Sequence, residues 1–267
     1  MTREACHISI RGVEKVFESG GQAVHALQAI DLEISRGEFV CLLGPSGCGK
    51  STLLNAVAGF SLPSSGTITV DGAAITAPGP DRGMVFQEYA LFPWMTVEQN
   101  IAFGLQIKGE AKVAIQTKVD ALLTMLHLQD FKKRYPKDLS GGMRQRVAIA
   151  RVLALDSPIM LMDEPFGALD ALTRRNLQDE LLRLWTELKK TILFVTHSIE
   201  EALYLADRTV VMTYRPGTIK RDLRIDLPRP RDVSSPAFNA LKKELSQLLM
   251  EEQSRHNQDE LRAAAVD

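Results

Sequence analysis

The chain of 267 residues is long enough for one large or two small domains with a sizeable buried core. Hydrophobic residues make up 45 % and charged residues 24 %, the balance of a soluble globular protein, and a net charge of −1 gives no basic excess that would draw the chain to nucleic acid. No apolar run approaches the roughly 18–20 residues that cross a bilayer, and the N-terminal Met-Thr-Arg-Glu-Ala-Cys-His has no apolar signal core, so a soluble chain is expected, and any membrane role must come through a partner.

Residues 7–43 alternate apolar and polar positions around turn residues (Gly20-Gly21, Arg36-Gly37), the pattern of an antiparallel β region. Within it Glu38-Phe39-Val40-Cys41-Leu42-Leu43 reads as a short buried strand. It leads into Gly44-Pro45-Ser46-Gly47-Cys48-Gly49-Lys50-Ser51, which fits G-x-x-x-x-G-K-[ST], and then into a helix over 51–58. The glycines let successive backbone N–H groups turn inward on a polyphosphate, and the helix adds its positive N-terminal end. Lys50 is placed to reach the β- and γ-phosphates, and the Ser51 hydroxyl to hold Mg²⁺. With strand, loop and helix in this order, the chain is expected to bind a nucleoside triphosphate.

Further along, Ser64–Gly72 reads as turn, strand, turn, and the Pro/Gly cluster 77–80 precedes a strand at Gly83–Phe86. From Thr96 to about Ala154 the pattern is helical, with Ala121, Leu122, Met125 and Leu126 at three- and four-residue steps. Strands at 159–162 and 192–195 then alternate with helices at 171–189 and 199–205, which implies a parallel sheet with helices on its faces. The fold expected is α/β: a mixed β core with an antiparallel β subdomain and a mostly helical insert. Asp226–Asp232 cannot be regular, because its alternating prolines remove donors and block helix. A helix follows with Phe238, Leu241, Leu245, Leu248 and Leu249 on one face, which either packs on the parent domain or meets a second chain. The last ten or so residues are polar and expected to fray. The three cysteines, Cys6, Cys41 and Cys48, have no metal-ligand spacing, and their odd count argues against a disulfide framework.

A second cluster of chemistry lies at Ile159-Met160-Leu161-Met162-Asp163-Glu164-Pro165. Two carboxylates leave the C-terminal end of a buried strand, where ligands sit in a doubly wound sheet. Asp163 is placed to hold Mg²⁺ and Glu164 to polarise a water for attack on the γ-phosphorus. His197 closes the next strand and is placed to reach the γ-phosphate. His7, His25, His127 and His256 have no such context and read as surface or packing residues. Leu139-Ser140-Gly141-Gly142, opening a helix over Met143–Leu155, offers a second anion-binding geometry. Two phosphate sites on one chain are explained if the second serves a triphosphate held by another copy.

With these motifs in place the chain resembles an ATP-binding-cassette subunit over nearly all of residues 7–215. Leu-Ser-Gly-Gly-x-x-x-Arg at 139–146 resembles the signature motif of that family. The resemblance implies that Phe17 stacks on adenine and that Gln87 contacts Mg²⁺ and the attacking water. It also implies that Ala168-Leu169-Asp170 couples the two sites and that His197 is the switch histidine. Two subunits would meet head to tail, each ATP clamped between Gly44, Pro45, Ser46, Gly47, Cys48, Gly49, Lys50, Ser51 and Thr52 of one chain and Ser140, Gly141 and Gly142 of the other. Residues 1–225 would form the ATPase domain, with a helical subdomain at about 88–155, and residues 226–267 a short extension.

Leu91-Phe92-Pro93-Trp94-Met95-Thr96-Val97, Asp163-Glu164-Pro165-Phe166-Gly167-Ala168-Leu169-Asp170 and the tail Arg215-Pro216-Gly217 with Leu227–Arg231 resemble the nitrate, aliphatic sulfonate and taurine importer group. That implies a homodimer on the cytoplasmic face of the membrane, joined to integral permease subunits and served indirectly by a substrate-binding protein. Tyr89, Leu91, Phe92 and Trp94 would form an exposed socket for the permease; the alternative is that they are core residues of the helical insert. A separate ATPase subunit for lipid trafficking or efflux is the alternative function.

Overall fold

The computed structural model describes residues 6–19 and 22–264. The chain divides into two compact units, one made of Met1–Pro78 with Thr191–Asp267 and the other of Gly79–Lys190. The first unit opens with β1 (Cys6–Ser19) and β2 (Gln22–Ser35), followed by β3 (Phe39–Leu43), α1 (Lys50–Ala58), β4 (Ser65–Val70) and β5 (Ala73–Ala74). An antiparallel sheet runs in the order β2-β1-β4-β5. Gly59 closes α1 in the left-handed region, φ 82°, and donates back to the carbonyls of Asn55 and Ala56. A Cβ there would stand 2.4 Å from the Ala77 carbonyl oxygen, so only glycine fits.

The second unit carries β6 (Arg82–Val85), α2 (Val97–Ile107), α3 (Lys112–Met125), α4 (Gly141–Ala154), β7 (Ile159–Asp163) and α5 (Ala171–Leu188). β6 and β7 pair in parallel with Val85 opposite Met162. Thr96 starts α2 with a capping box, accepting from the Gln99 N–H while the Gln99 side chain accepts from the Thr96 N–H. The stretch from Thr96 to Ala154 is thus helical as expected, broken by 3₁₀ turns at Gln129–Phe131 and Pro136–Asp138.

The first unit resumes with β8 (Thr191–Thr196), α6 (Ile199–Leu205), β9 (Arg208–Met212), β10 (Ile219–Arg224) and α7 (Pro236–Ala264). β3 pairs in parallel with both β8 and β9, and β10 runs antiparallel on β9. This corrects the antiparallel reading of 7–43 at its end. Residues 39–43 are five consecutive apolar side chains, all buried, and a strand covered on both faces belongs inside a parallel sheet. Phe39 and Phe194 pack here with ring centroids 5.9 Å apart.

The apolar stripe of α7 packs on its own unit against α6 and β9. Phe238 and Leu245 are fully buried, and Leu241, Leu248 and Leu249 are half-buried. The helix runs on to Ala264, so the last ten or so residues, expected to fray, are helical up to that point, and the final three lie outside the described residues. The proline-rich stretch before it is irregular, as expected, and performs a capping task. Arg231, 4 % exposed, donates to the carbonyls of Leu203 and Ala206 at 2.6 Å each, and also to those of Tyr204, Ile225 and Leu227. Arg229 donates to the Leu205 carbonyl at 2.6 Å and pairs with Asp207 at 2.7 Å. The two arginines therefore satisfy the orphan carbonyls at the C-terminal end of α6. Burial pushes the Arg231 guanidinium down to about 10, with Arg229 acting in the same direction. Among the described residues no helix is long and apolar enough to cross a membrane.

Candidate nucleotide site

The phosphate loop leaves β3 at Gly44 and enters α1 at Lys50. Gly47 and Gly49 hold φ of 78° and 97°, conformations that L side chains rarely adopt. A Cβ on Gly49 would also lie 2.8 Å from the Ala26 carbonyl oxygen, so the loop is pressed directly on β2. The Lys50 ammonium is buried and donates to the carbonyls of Gly44 at 2.8 Å and Pro45 at 2.9 Å, curling beneath the loop. Cys48 is fully buried; burial pushes its thiol up, opposed by the neighbouring Lys50. Ser46, Gly47 and Ser51 are exposed and Pro45, Gly49 and Thr52 half-buried, so the outer rim of the loop faces solvent at a helix N-terminus.

Two further expected residues sit in this unit. Leu43 and Thr196 are register partners on β3 and β8, so Gly44 and His197 leave the same sheet edge side by side. His197 is exposed there, and Ser198 caps the helix that follows by accepting from the Glu201 N–H. Phe17 on β1 pairs with Val24 and is 42 % exposed, with Lys15 Nζ 5.1 Å from its ring centroid. Of the histidines read as packing residues, His7 is buried with Nδ1 2.6 Å from Thr191 Oγ1, and His256 stacks on Tyr214.

In the second unit, Gln87 follows β6 while Asp163 ends β7 and Glu164 follows it, at adjoining strand ends. Gln87 is exposed and the two acids are half-buried. Glu164 has φ 42°, a left-handed conformation that costs a non-glycine residue of order 1–3 kcal/mol and gathers at functional sites. The following loop is fixed by Arg174 of α5, which donates to the carbonyls of Phe166 and Leu169. Asp170 caps α5 by accepting from the Thr173 N–H at 2.9 Å, and that bond holds its carboxyl below the usual range.

Ser140 is the N-cap of α4, accepting from the Met143 N–H at 3.3 Å. The helix thus begins at Gly141, two residues before the expected start, so both glycines lie in its first turn. Glycine is required at 142, where a Cβ would meet Thr173 Cγ2 at 2.6 Å. A Cβ on Gly141 would come within 3.1 Å of Leu169 Cδ2 and 3.4 Å of Tyr89 Oη. The structure thus brings the N-terminus of α4, the loop after Glu164 and the loop after Gln87 together.

The aromatic run after Gln87 is not uniformly exposed. Trp94 is 70 % exposed, but Tyr89, Leu91 and Phe92 are half-buried, and the Phe92 ring lies 4.6 Å from that of Phe103 on α2. Several residues around the site escaped the sequence reading. Arg144 and Arg151 of α4 lie 5.5 and 5.6 Å from the rings of Tyr89 and Phe92, and Glu252 of α7 accepts from the backbone beside the phosphate loop. Only their charge marked them, since their partners are far away in sequence.

A glycine-rich loop with a buried lysine at a helix N-terminus, leaving a parallel strand, defines a P-loop nucleotide-binding protein. The ABC transporter family model matches residues 27–167, and the chain belongs to that family. It is 52 % identical over 219 residues to a taurine import ATP-binding protein of Roseobacter denitrificans, covering 82 % of each chain. It is 48 % identical over 238 residues to an aliphatic sulfonates import ATP-binding protein of Bacillus licheniformis, covering 89 % of this chain and 92 % of the relative. A nitrate import ATP-binding protein of Synechocystis is 48 % identical over 238 residues, 89 % of this chain and 90 % of the relative. A solved ATP-binding cassette, dimeric and bound to ADP and Pi, superposes with a TM-score of 0.73 at 32 % identity, covering 82 % of this chain and 98 % of that one.

Proposed function

We propose that the chain is the ATP-hydrolysing subunit of an importer for sulfonates, taurine or nitrate-like anions. The observation that carries this reading is the presence of two phosphate-binding geometries, the Gly44–Ser51 loop on α1 and Ser140-Gly141-Gly142 at the N-terminus of α4. A single triphosphate is served by both if two copies meet head to tail and each completes the other's site. The importer names of the relatives support import over lipid trafficking or efflux.

In this reading residues 44–52 cradle the phosphates, Phe17 stacks on adenine and Lys50 leaves its loop carbonyls for the β- and γ-phosphates. Ser140, Gly141 and Gly142 of the partner copy close on the γ-phosphate. Glu164 takes a proton from water as the water oxygen attacks the γ-phosphorus and ADP leaves; Gln87 orients that water, and His197 contacts the γ-phosphate. No cluster of three or more acidic, histidine or cysteine side chains able to hold a metal stands among the described residues. The Ser51 hydroxyl, Gln87 amide and Asp163 carboxylate are hard oxygen donors that suit Mg²⁺ bound chiefly through phosphate. When bound, that ion neutralises phosphate charge. Hydrolysis removes the group that both copies grip, and the pair reopens.

Residues 1–225, with the helical part at about 88–155, would be the ATPase domain and 226–267 its extension. Trp94 and its neighbours would dock an integral membrane permease on the cytoplasmic face, while a substrate-binding protein selects the solute. The test is ATPase activity of the purified chain with its Lys50→Ala and Ser140→Arg variants. Hydrolysis lost in both supports the shared site, and full activity in Ser140→Arg overturns it. Deleting the gene and growing cells on taurine or an alkanesulfonate as sole sulfur source, or on nitrate as sole nitrogen source, reads out the solute.

A further inference from the structure

The turn between β9 and β10, residues 213–218, lies between the phosphate loop and α7, and it bonds to both. On one side Arg215 Nε donates to the Gly47 carbonyl at 3.1 Å. Gly217 donates to the Ala26 carbonyl and accepts from the Gln28 N–H, both at 3.0 Å. A Cβ on Gly217 would stand 2.2 Å from the Cys48 carbonyl oxygen, and one on Gly44 would stand 3.2 Å from that of Met212. The turn therefore meets the phosphate loop at Gly47 through the Arg215 side chain and at Cys48 through the Gly217 backbone, while Gly44 stands against Met212 at the end of β9.

On the other side the Tyr214 N–H donates to Glu252 Oε2 at 3.0 Å, and the Tyr214 ring stacks on His256 at 3.8 Å. The Glu252 side chain is 1 % exposed and also accepts from Lys220 Nζ at 2.8 Å. Lys220 in turn bonds Glu251 at 2.7 Å and the Leu248 carbonyl at 3.3 Å. Between the two contacts the turn is braced by its own bonds. Thr213 Oγ1 donates to the Pro216 carbonyl at 3.0 Å and accepts from the Thr218 N–H at 2.9 Å. A short, internally bonded turn passes displacement on, because it has little freedom of its own to absorb it.

We propose that Arg215 and Glu252 are positioning residues for the phosphate loop, joined through the 213–218 turn, so that the docking of α7 sets the shape of the loop that receives nucleotide. The proposal rests on the reading of Gly44–Ser51 as the ATP site and deepens it. Arg215 holds the loop from outside at Gly47, one of its left-handed glycines. Glu252 fixes the backbone one residue before Arg215 and touches no part of the loop itself.

The test is titration of the full chain with a fluorescent ATP analogue, alongside ATPase kinetics and thermal unfolding. The variants are Arg215→Ala, Arg215→Lys, Glu252→Ala, Glu252→Gln and the double Arg215→Ala/Glu252→Ala. Each alanine variant is expected to weaken nucleotide binding roughly five- to thirty-fold, since positioning the loop transmits only part of the lost bond to the ligand. KM should rise while kcat at saturating ATP holds. The double variant should be no weaker than the worse single one, since both act through one turn. Arg215→Lys, which keeps a donor for the Gly47 carbonyl, and Glu252→Gln, which keeps an acceptor for the Tyr214 N–H, should recover part of the affinity. Arg215 is exposed, so its variants keep the test open if Glu252→Ala unfolds. Unchanged affinity in Arg215→Ala, or losses that add in the double variant, overturns the proposal. A Glu252→Ala protein that melts earlier yet binds nucleotide as tightly as wild type makes α7 a brace only and equally overturns it. A wild-type chain that binds no nucleotide overturns the reading of the site itself, and the proposal with it.

Discussion

Arg151 of α4 donates from Nη1 to the carbonyl of Ala90 at 2.7 Å, with its guanidinium 5.6 Å from the Phe92 ring centroid. The helix that Ser140 caps thereby holds the loop that follows Gln87. That loop needs holding, because Tyr89 and Ala90 are consecutive left-handed residues with φ of 60° and 47°. Burial lowers the Arg151 guanidinium pKa, and a guanidinium donor makes its bond to a carbonyl charge-assisted. Arg151→Ala is expected to destabilise the chain by about 1.5–3 kcal/mol, the cost of losing a hydrogen bond to a charged group. Urea denaturation measures the change, and protease cleavage appearing at 88–92 locates it.

Gly142→Ala should be destabilising for a steric reason alone. The new methyl would meet Thr173 Cγ2 at 2.6 Å and force α4 away from α5, with a cost of about 1–3 kcal/mol. Removing the opposing methyl in Gly142→Ala/Thr173→Ser should restore most of the loss. A double variant no more stable than the single one would show that the clash is not the cause.

Glu164→Gln is expected to bind ATP as wild type does while hydrolysis falls by at least about 100-fold, the scale of losing a proton-handling group. Saturating ATP should then trap a dimer. Light scattering that shows only monomer under those conditions would contradict the shared-site mechanism.

Trp94→Ala should leave the ATPase activity of the isolated chain unchanged and impair transport by the assembled complex, because the ring is 70 % exposed. Phe92→Ala should behave differently. Its ring packs on Phe103 at 4.6 Å, so the variant loses stability, by about 3 kcal/mol or less for a half-buried ring. Equal losses of stability in the two variants would refute this division.

Burial acts to raise the Glu252 carboxyl pKa, but the bonds from Lys220 and the Tyr214 N–H prevail and hold it below the ordinary value of about 4.5. The folded state therefore binds fewer protons than the unfolded one, and the contribution to stability is fully present above that ordinary value. It drains away as the pH falls through the depressed one. The stability difference between wild type and Glu252→Gln should be constant near neutrality and shrink in acid. A difference that persists unchanged to pH 3 would refute the assignment.

The motifs that were legible are contiguous. Gly44–Ser51, Asp163-Glu164 and Ser140–Gly142 each carry their geometry in their spacing, and the strand or helix that bears each motif follows from its own neighbours. Residues 39–43 were harder, since an apolar run shows a buried strand but not which sheet it joins. Phe92 and Trp94 are both aromatic and two positions apart, and only packing against α2 separates the half-buried one from the exposed one. The bond from Tyr214 to Glu252 spans 38 positions and exists only because α7 folds back on β9. Arg231 sits in a stretch whose prolines announce irregular structure and conceal that its side chain is a plug.

That plug gives the carboxyl-terminal tail an order of importance. Arg231 closes off the end of α6, whose beginning lies two residues after His197. Progressive digestion from the last residue inward would cross two thresholds. Shortening past Glu252 should blunt the grip on nucleotide, whereas shortening past Arg231 would bare several carbonyls inside the protein at once, and the molecule would collapse rather than weaken.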